Sequence, residues 1–204
     1  WNSQVIIMLL EGIRDTLYMT LASTLFGYII GLPMGIVLTV TDKDGIRPNA
    51  AVYKVLDVIS NLLRSIPFII LLIVLIPFTR FVVGRSYGST ATIVPLTIAA
   101  APYIARMVES SLKEVDAGVI EAARSMGASD FQIVTKVMLV EARTSLIVGA
   151  TISLGTILGY SAMAGTVGGG GLGDIAIRYG YTRWQTDIMV VTVVLLVILF
   201  QIFQ

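Results

Sequence analysis

The sequence predicts an all-α integral membrane protein, and two observations carry that prediction. Hydrophobic residues make up 56% of the 204 residues and charged residues only 13%, about half the charged share of an ordinary soluble domain. The charges are also clustered, which leaves long uncharged stretches between them. Because about 20 apolar residues are enough for a helix to cross the hydrocarbon core of a bilayer, these stretches predict membrane-spanning helices.

Five transmembrane helices are predicted, in a single domain that covers residues 1–204. The long uncharged stretches are 16–40, 86–105, 144–173 and 188–204. The stretch 65–79 is shorter, but Arg64 and Arg80 flank it, and their long side chains can reach the two interfaces. With the ends included, the predicted spans are about 16–40, 58–82, 86–108, 142–166 and 186–204.

The distribution of lysine and arginine predicts the orientation. With the N-terminus outside and the C-terminus in the cytoplasm, nine of the 14 basic residues lie on the cytoplasmic side and five outside. An excess of basic residues in cytoplasmic loops favours this orientation. It places the segment 111–138 in the cytoplasm. Residues 1–20 contain Glu11, Arg14 and Asp15, so they indicate a short interfacial helix that leads into the first span, not a cleavable signal.

The composition argues against several classes of enzyme. The chain has no histidine and no cysteine, so common zinc sites and Ser-His or Cys-His nucleophiles are excluded. Gly168, Gly170 and Gly173 satisfy G-x-G-x-x-G, but they follow a predicted span and not a strand, as a dinucleotide site requires. No Gly-Lys pair of a phosphate-binding loop occurs. With a net charge of +1, the chain gives no argument for nucleic-acid binding. We expect no cofactor and no metal on this chain.

Small residues and prolines inside the spans have two interpretations. Gly27, Gly31 and Gly35 repeat every four residues, which makes one stripe of the first span suitable for close helix contact. Prolines within or at the ends of the spans free backbone carbonyls and bend helices; they are Pro33, Pro67, Pro77, Pro95 and Pro102. Each is individually explained by packing or kinking. Together they favour a bundle that forms a cavity and moves.

The glycine-rich segment 159–174 contains the candidate translocation path. Four consecutive glycines are costly in a helix, so the fourth span is predicted to end near residues 163–167. Met163 is then a flexible side chain at the end of that span, beside Tyr160 and Ser161. One hypothesis is that two copies of Met163 form a hydrophobic gate across a dimer axis. The alternative is a methionine that fills a packing gap.

The segment 111–138 is predicted to form a helix, a sharp turn and a second helix. Good helix formers surround Ala122, and Gly127 can adopt the left-handed conformation that ends a helix. Ser129 and Gln132 have the spacing of a capping box. The predicted apolar faces are Val119, Ile120, Ala123 and Met126 on the first helix and Phe131, Val134 and Met138 on the second. Such faces could dock in a groove of a partner. Alternatively, they pack on the membrane interface or on the chain's own bundle, with Glu121 paired to Arg124 one turn later.

These residues resemble the EAA loop of bacterial ATP-binding-cassette importer permeases. The resemblance rests on Glu121-Ala122-Ala123, on Gly127 and on Leu139, in a segment between the third and fourth predicted spans. Val140 stands where the family usually has proline, so a sharp bend at that point does not carry over. In that family the loop forms a coupling helix that docks on the ATPase subunit, which assigns coupling to Glu121, Ala122, Ala123 and Gly127.

Three further segments resemble the permeases of bacterial methionine importers, so that the resemblance covers essentially the whole chain. They are residues 64–72, 100–108 and 159–163. The resemblance implies a type I importer permease fold and a homodimer of five-helix subunits in the bacterial inner membrane. It also implies two cytoplasmic ATPase subunits, which bind ATP and Mg²⁺, and a periplasmic substrate-binding lipoprotein.

The function that this resemblance implies is transport and not catalysis. ATP-driven alternating access would carry methionine, in its L form or also its D form, across the inner membrane. The gate and path would include Met163, Tyr160 and Ser161. Two alternatives remain at this level: a permease for another amino acid or small organic solute, and a passive channel or scaffold subunit.

Overall fold

The computed structural model describes residues 3–204, and the regular structure in this range is entirely helical, without a strand. The first half of the chain forms five α-helices. They are α1 (Ser3–Thr41), α2 (Ala50–Ser65), α3 (Phe68–Val74), α4 (Ile76–Val83) and α5 (Ser89–Lys113). The second half adds α6 (Ala117–Ser125), α7 (Asp130–Gln132), α8 (Leu139–Glu141), α9 (Arg143–Ala164), α10 (Gly171–Ile175) and α11 (Thr186–Phe203).

Three short non-α turns connect the later helices. Residues Ile133–Met138 and Ala176–Tyr181 form π-helical turns, and Gly165–Val167 forms a 3₁₀ turn directly after α9. The end of α9 at Ala164 agrees with the predicted end of the fourth span near residues 163–167. Val140 lies in α8, and a single residue, Ala142, separates α8 from α9.

The described residues contain four helical segments that are long and apolar enough to cross a membrane. They are Ser3–Thr41, Ser89–Lys113, Arg143–Tyr181 and Thr186–Phe203. A fifth crossing is present only if α2 and α3, which are bent by 102° relative to each other, are counted as one span. Helical architecture is thus confirmed, while the number of crossings in the described chain is four or five.

The second predicted span, residues 58–82, is not one helix. The chain leaves α2 at Ser65, starts α3 after Pro67 and starts α4 at Ile76, with Pro77 in its first turn. Proline lacks an N–H donor and disfavours helical backbone at the residue before it, so Pro67 ends α2 and forces the bend.

The described residues show no break between the predicted N-terminal helix and the first span. α1 runs without a break from Ser3 to Thr41, and its Pro33 is accommodated within the helix. Trp1 and Asn2 lie outside the described residues. Glu11, Arg14 and Asp15 therefore belong to the same helix as the first span, and Arg14 pairs with its neighbour Asp15 at 3.0 Å.

The chain divides into two compact units. The first contains α1 up to Phe26, residues Ile66–Ala100 and residues Ile152–Gln204. Its core is a cluster of buried aliphatic side chains: Leu9, Leu158, Leu172, Ile175, Ile188 and Leu199. A glycine turn after α9 packs in this unit, because Leu172 N–H donates to Thr16 Oγ1 at 2.9 Å and Gly88 N–H donates to Gly168 O at 3.0 Å.

The second unit contains residues Gly27–Ser65 and Ala101–Thr151. Here α1 lies directly against α5, as the glycine stripe predicts. A Cβ atom added to Gly31 would lie 2.6 Å from the carbonyl oxygen of Ala101, and one added to Gly35 would lie 2.6 Å from that of Ala105. Gly27 is also buried. This unit also contains the whole segment 111–138.

Candidate functional site

The predicted helix, turn and helix of the segment 111–138 are present. Asp116 caps α6, because its Oδ1 accepts from Gly118 N–H at 2.7 Å. α6 ends at Ser125 with Met126 as its cap, and the next residue, Gly127, has a left-handed φ of 84°. Ala128 N–H donates to Ala123 O at 3.1 Å and Gly127 N–H to Arg124 O at 2.9 Å. This pair of hydrogen bonds is the Schellman motif that glycine favours at the end of a helix.

The predicted capping box starts the second helix. Gln132 N–H donates to Ser129 Oγ at 3.3 Å, and Ser129 N–H donates to Gln132 Oε1 at 2.9 Å. Helical structure then continues through α7, the π-helical turn and α8 up to Glu141. Both ends of the turn are therefore fixed by hydrogen bonds that the local sequence encodes.

The four residues assigned to coupling differ in exposure. Glu121, Ala122 and Gly127 are exposed, whereas Ala123 is buried. The alternative pairing of Glu121 with Arg124 is not formed. Arg124 Nη2 instead donates to the carbonyl oxygen of Ile46 at 2.8 Å, and Glu121 has no ion pair in the described part of the chain. The Glu121 carboxylate is thus accessible to a partner.

The two predicted apolar faces divide into a buried part and an exposed part. Val134 and Met138 are buried. For these two residues, the alternative interpretation, packing on the chain's own bundle, is therefore the one that the structure shows. Met126 and Phe131 are 82% and 76% exposed. Because these two large apolar side chains flank the Gly127 turn, the loop presents an apolar surface beside the free carboxylate of Glu121.

A cluster of charged side chains next to this loop is not predicted by the sequence analysis. Its centre is Glu109, near the end of α5, with only 6% of the side chain exposed. Arg106 Nη1 lies 2.7 Å from Glu109 Oε2. Lys113 Nζ lies 2.8 Å from Glu109 Oε1, and the Tyr53 hydroxyl donates to the same oxygen at 3.2 Å.

The cluster links α5 to two other elements of the second unit. Arg106 forms an ion pair with Asp57 and donates to Asn61 Oδ1 at 3.2 Å, both on α2. Lys113 pairs with Asp42, directly after α1, at 2.7 Å. The sequence signal for half of the cluster is the spacing of Arg106, Glu109 and Lys113 along one helix face. No sequence spacing predicts that Asp57, Asn61 and Asp42, which lie on other elements, are their partners.

The ion pair also changes the acidity of Asp42, which lies outside the helices that can span the membrane. The hydrogen bond from Lys113 lowers the pKa of the Asp42 carboxyl, and partial burial opposes this effect. The backbone N–H of Lys43 adds a second hydrogen bond that also lowers the pKa of Asp42. Asp42 is therefore ionised at neutral pH.

A cavity of about 630 Å³ lies between α6 and the turn after α1. Its walls include Asp42 and Lys113 on one side and Ile120, Glu121 and Arg124 on the other. The hydrogen bond from Arg124 to Ile46 O bridges the two sides. α6 also packs against the π-helical turn Ile133–Met138 of the same unit.

The residues predicted for the translocation path lie in the first unit. Met163 is half exposed near the end of α9. The Tyr160 ring stacks on Phe68, with centroids 4.7 Å apart. The Ser161 side chain is buried, and its hydroxyl donates to Leu158 O within the same helix at 2.7 Å. Of the three, Met163 is the most exposed, Tyr160 is partly exposed and Ser161 is buried.

These features define a class: an all-helical integral membrane protein with a folded, exposed loop between two of its apolar helices. Residues 18–204 match the family of binding-protein-dependent transport system inner membrane components. The match covers most of the chain, and the chain belongs to this family. It is therefore an inner-membrane component of a transport system.

Individual relatives agree with this assignment. The chain is 49% identical over 197 residues to a probable D-methionine transport system permease of Vibrio cholerae, a match that covers 97% of this chain and 88% of that protein. It is 54% identical over 158 residues to the D-methionine transport system permease of Escherichia coli K12, covering 78% of this chain and 73% of that protein.

Solved structures confirm the predicted permease fold. A native crystal form of the MetNI methionine ABC transporter, in inward-facing conformations, matches with a TM-score of 0.98 and 51% identity, over 100% of this chain and 94% of that chain. An amino acid ABC transporter crystallised with histidines matches with a TM-score of 0.79 but 19% identity, so it shows the fold alone.

Proposed function

We propose that the chain is the permease subunit of an ATP-driven importer that carries methionine across the bacterial inner membrane by alternating access. The observation that carries this proposal is the TM-score of 0.98 at 51% identity to the MetNI methionine ABC transporter over the full chain. The naming of relatives with 49% and 54% identity as D-methionine permeases supports the same solute, in its D form as well as its L form.

The proposed assembly is a homodimer of this chain with two cytoplasmic ATPase subunits and a periplasmic binding lipoprotein. The family's dependence on a binding protein supports the last partner. ATP and Mg²⁺ belong to the ATPase subunits, and this chain contributes no cofactor. The N-terminus is outside, so that the segment 111–138 faces the cytoplasm, where an ATPase can reach it.

The proposed coupling contact is the exposed surface of the loop. Glu121 and Ala122 are accessible, and Ala123 is buried beneath them. Gly127 gives the turn its shape, so that Met126 and Phe131 project outward. An ATPase cleft with apolar walls and a basic group would accept this surface, because it would bury the two apolar side chains and pair the carboxylate.

Uptake by the reconstituted complex tests the proposed function. Proteoliposomes that contain the permease, the ATPase and the binding protein should accumulate labelled L-methionine only when ATP is inside with the ATPase. Unlabelled L- and D-methionine should compete with the label, and other amino acids should not. ATP-independent flux would favour a channel, and competition by an unrelated amino acid would change the solute.

Gly127→Trp tests the coupling surface. A Cβ at Gly127 meets nothing within 4 Å, so a large side chain there projects away from the chain and into any docked partner. We expect uptake and transport-dependent ATPase activity to fall at least about tenfold. The control is Gly127→Asn, which tolerates the left-handed backbone with a small side chain. Equal activity of the two variants would contradict the coupling role.

Met163→Ala tests the proposed gate that Met163 forms with Tyr160 and Ser161. Removing a half-exposed methionine from each of two facing subunits should open a passive leak and raise the ATP consumed per solute. Ile152→Ala, another exposed apolar position on α9, is the control. If Met163→Ala leaves leak and ATP coupling unchanged, the gate hypothesis is wrong.

A further inference from the structure

Glu109 occupies an unusual position for a carboxylate. Its side chain is almost fully buried, yet three donors from α5 and α2 meet it: Arg106, Lys113 and Tyr53. A buried charge is stable only when it is paired and hydrogen-bonded, as it is here. Nothing in the coupling motif or the proposed path includes this residue.

Polar contacts continue from Glu109 in two directions. Through Arg106 they reach Asp57 and Asn61 on α2. Through Lys113 they reach Asp42, directly after α1. Glu109 is thus the common partner of two cations that bind two different elements.

The path on the Asp42 side ends at the coupling helix. Asp42 belongs to the short turn between α1 and α2, where Gly45 N–H donates to Asp42 O at 2.9 Å. Ile46 in the same turn accepts the hydrogen bond from Arg124 of α6 at 2.8 Å. The cavity of about 630 Å³ lies between α6 and the ends of α1 and α5, and this hydrogen bond crosses it.

We propose that Glu109 is a positioning residue for energy coupling, a role that rests on the proposed function. Its carboxylate fixes Arg106 and Lys113, and through them it ties the turn after α1, and hence α6, to α2 and α5. A displacement of α6 by the ATPase is then transmitted to the apolar helices of the second unit. Without the carboxylate, two neighbouring cations repel each other and the connection loosens.

The transport test uses Glu109→Gln in the full complex in proteoliposomes. Glutamine has nearly the same shape and can still accept from Tyr53, but it lacks the charge that holds Arg106 and Lys113. We expect methionine transported per ATP hydrolysed to fall about tenfold, with at least about half of the ATPase activity retained. The control is Glu141→Gln, the same substitution at an exposed residue of α8 without an ion pair in the described chain.

A second variant breaks the path without touching the buried centre. Asp42→Asn removes the partner of Lys113 at a partly exposed position, so that it is expected to fold normally. We expect a smaller drop in the ratio of transport to ATP hydrolysis, of about threefold. The double variant Asp42→Asn, Glu109→Gln should be no worse than Glu109→Gln alone, because both act on one path.

Hydrogen exchange of the purified complex supplies a readout that does not depend on transport. Amides of Ala117–Ser125 should exchange about fivefold faster in Glu109→Gln than in Glu141→Gln, while those of Thr186–Phe203 in the first unit stay unchanged. Faster exchange in both segments would indicate general loosening and would overturn a positioning role.

Several other results would overturn the positioning role of Glu109. A normal ratio of transport to ATP hydrolysis in Glu109→Gln, or in Asp42→Asn, overturns the proposal. So does a fall of transport and ATPase activity in equal proportion. If the wild-type complex transports no methionine, the proposed function fails, and the exchange of α6 still tests the positioning role: equal rates in Glu109→Gln and Glu141→Gln overturn it.

Discussion

The glycines at two turns, Gly127 and Gly171, are needed for different reasons. At Gly127, after α6, the backbone is left-handed with a φ of 84°, and an added Cβ would meet nothing within 4 Å. At Gly171, the first residue of α10, φ is 74°, but an added Cβ would lie 2.7 Å from Thr16 Oγ1 and 2.8 Å from Met19 Cε. The first turn needs only the conformation, and the second also needs the space.

The first turn is specified by residues close to it in the sequence, and the second depends on a distant part of the chain. The Gly127 turn is built from hydrogen bonds within about a dozen consecutive residues, so that its sequence specifies it alone. The turn at Gly171 is specified by α1, because Leu172 N–H donates to Thr16, which lies 156 positions earlier in the chain. The exposed turn is free to serve a partner, whereas the packed turn serves the core of the first unit.

The largest expected effect is that of Gly171→Ala. A left-handed alanine costs about 1–2 kcal/mol, and forcing a methyl group into a packed site costs about 1–3 kcal/mol more. We expect a loss of about 3 kcal/mol in the free energy of unfolding, by the sum of these two costs. Thermal unfolding in nanodiscs measures it. The control is Gly168→Ala, where φ is 77° but an added Cβ would meet no atom within 4 Å. A similar loss in both variants would mean that the lack of space at Gly171 adds nothing to the cost of the left-handed backbone.

Gly127→Ala should have a smaller effect, and it should remain local. The cost is that of the left-handed conformation alone, about 1–2 kcal/mol. Amide exchange of Ala117–Ser125 should rise in proportion, while exchange of the helices in the first unit stays unchanged. Gly127→Asn should recover most of the loss, since asparagine adopts this conformation more readily. If alanine and asparagine behave alike, the conformation is not what Gly127 supplies.

Ser129→Ala tests the other side of the exposed turn. It removes the acceptor for Gln132 N–H and half of the capping box, at a cost of about 1 kcal/mol. Exchange of the amides of Asp130–Gln132 should become about fivefold faster. Ser125→Ala, at the exposed end of α6, is the matched control and should change little. An equal response of the two serine variants would mean that the box does not stabilise the turn.

Features that depend on neighbouring residues could be predicted from the sequence, and features that depend on tertiary packing could not. The cap at Ser129, the helix end at Gly127 and a close helix contact at the glycine stripe are predicted, because each depends on residue type and short spacing. That the stripe contacts α5 is not predicted. The break of the second predicted span is not, although Pro67 is its cause: an apolar stretch of that length could also have been a kinked single helix. The effect of a proline depends on what packs around it.

The charged cluster around Glu109 is the clearest example of a feature that the sequence predicts only in part. Arg106, Glu109 and Lys113 have helical spacing, and a pairing among them could be expected from that spacing. Their partners Asp57 and Asp42 lie on separate elements, and Asp57 is 49 positions before Arg106 in the chain. The packing of α2 and of the end of α1 against α5 brings these charges together. The hydropathy pattern does not predict which residues of these elements face each other.

The smallest predicted effect is the pH dependence of the pair between Asp42 and Lys113. Because the pKa of Asp42 is lowered in the folded protein, the pair stabilises the fold fully above the unfolded-state pKa of about 3.9. Stability is lost as the pH falls through the lower, folded-state pKa.

The ion pair between Asp42 and Lys113 is partly exposed, so its contribution to stability is at most about 1 kcal/mol. Thermal unfolding of wild type and Asp42→Asn should therefore differ by a constant amount from pH 7 down to about pH 5 and converge once the pH has fallen below the lowered pKa of Asp42. The control is Asp44→Asn, at an exposed neighbour of Lys43. A difference for Asp42→Asn that persists in acid would mean that the side chain stabilises the turn by its shape and not by its charge.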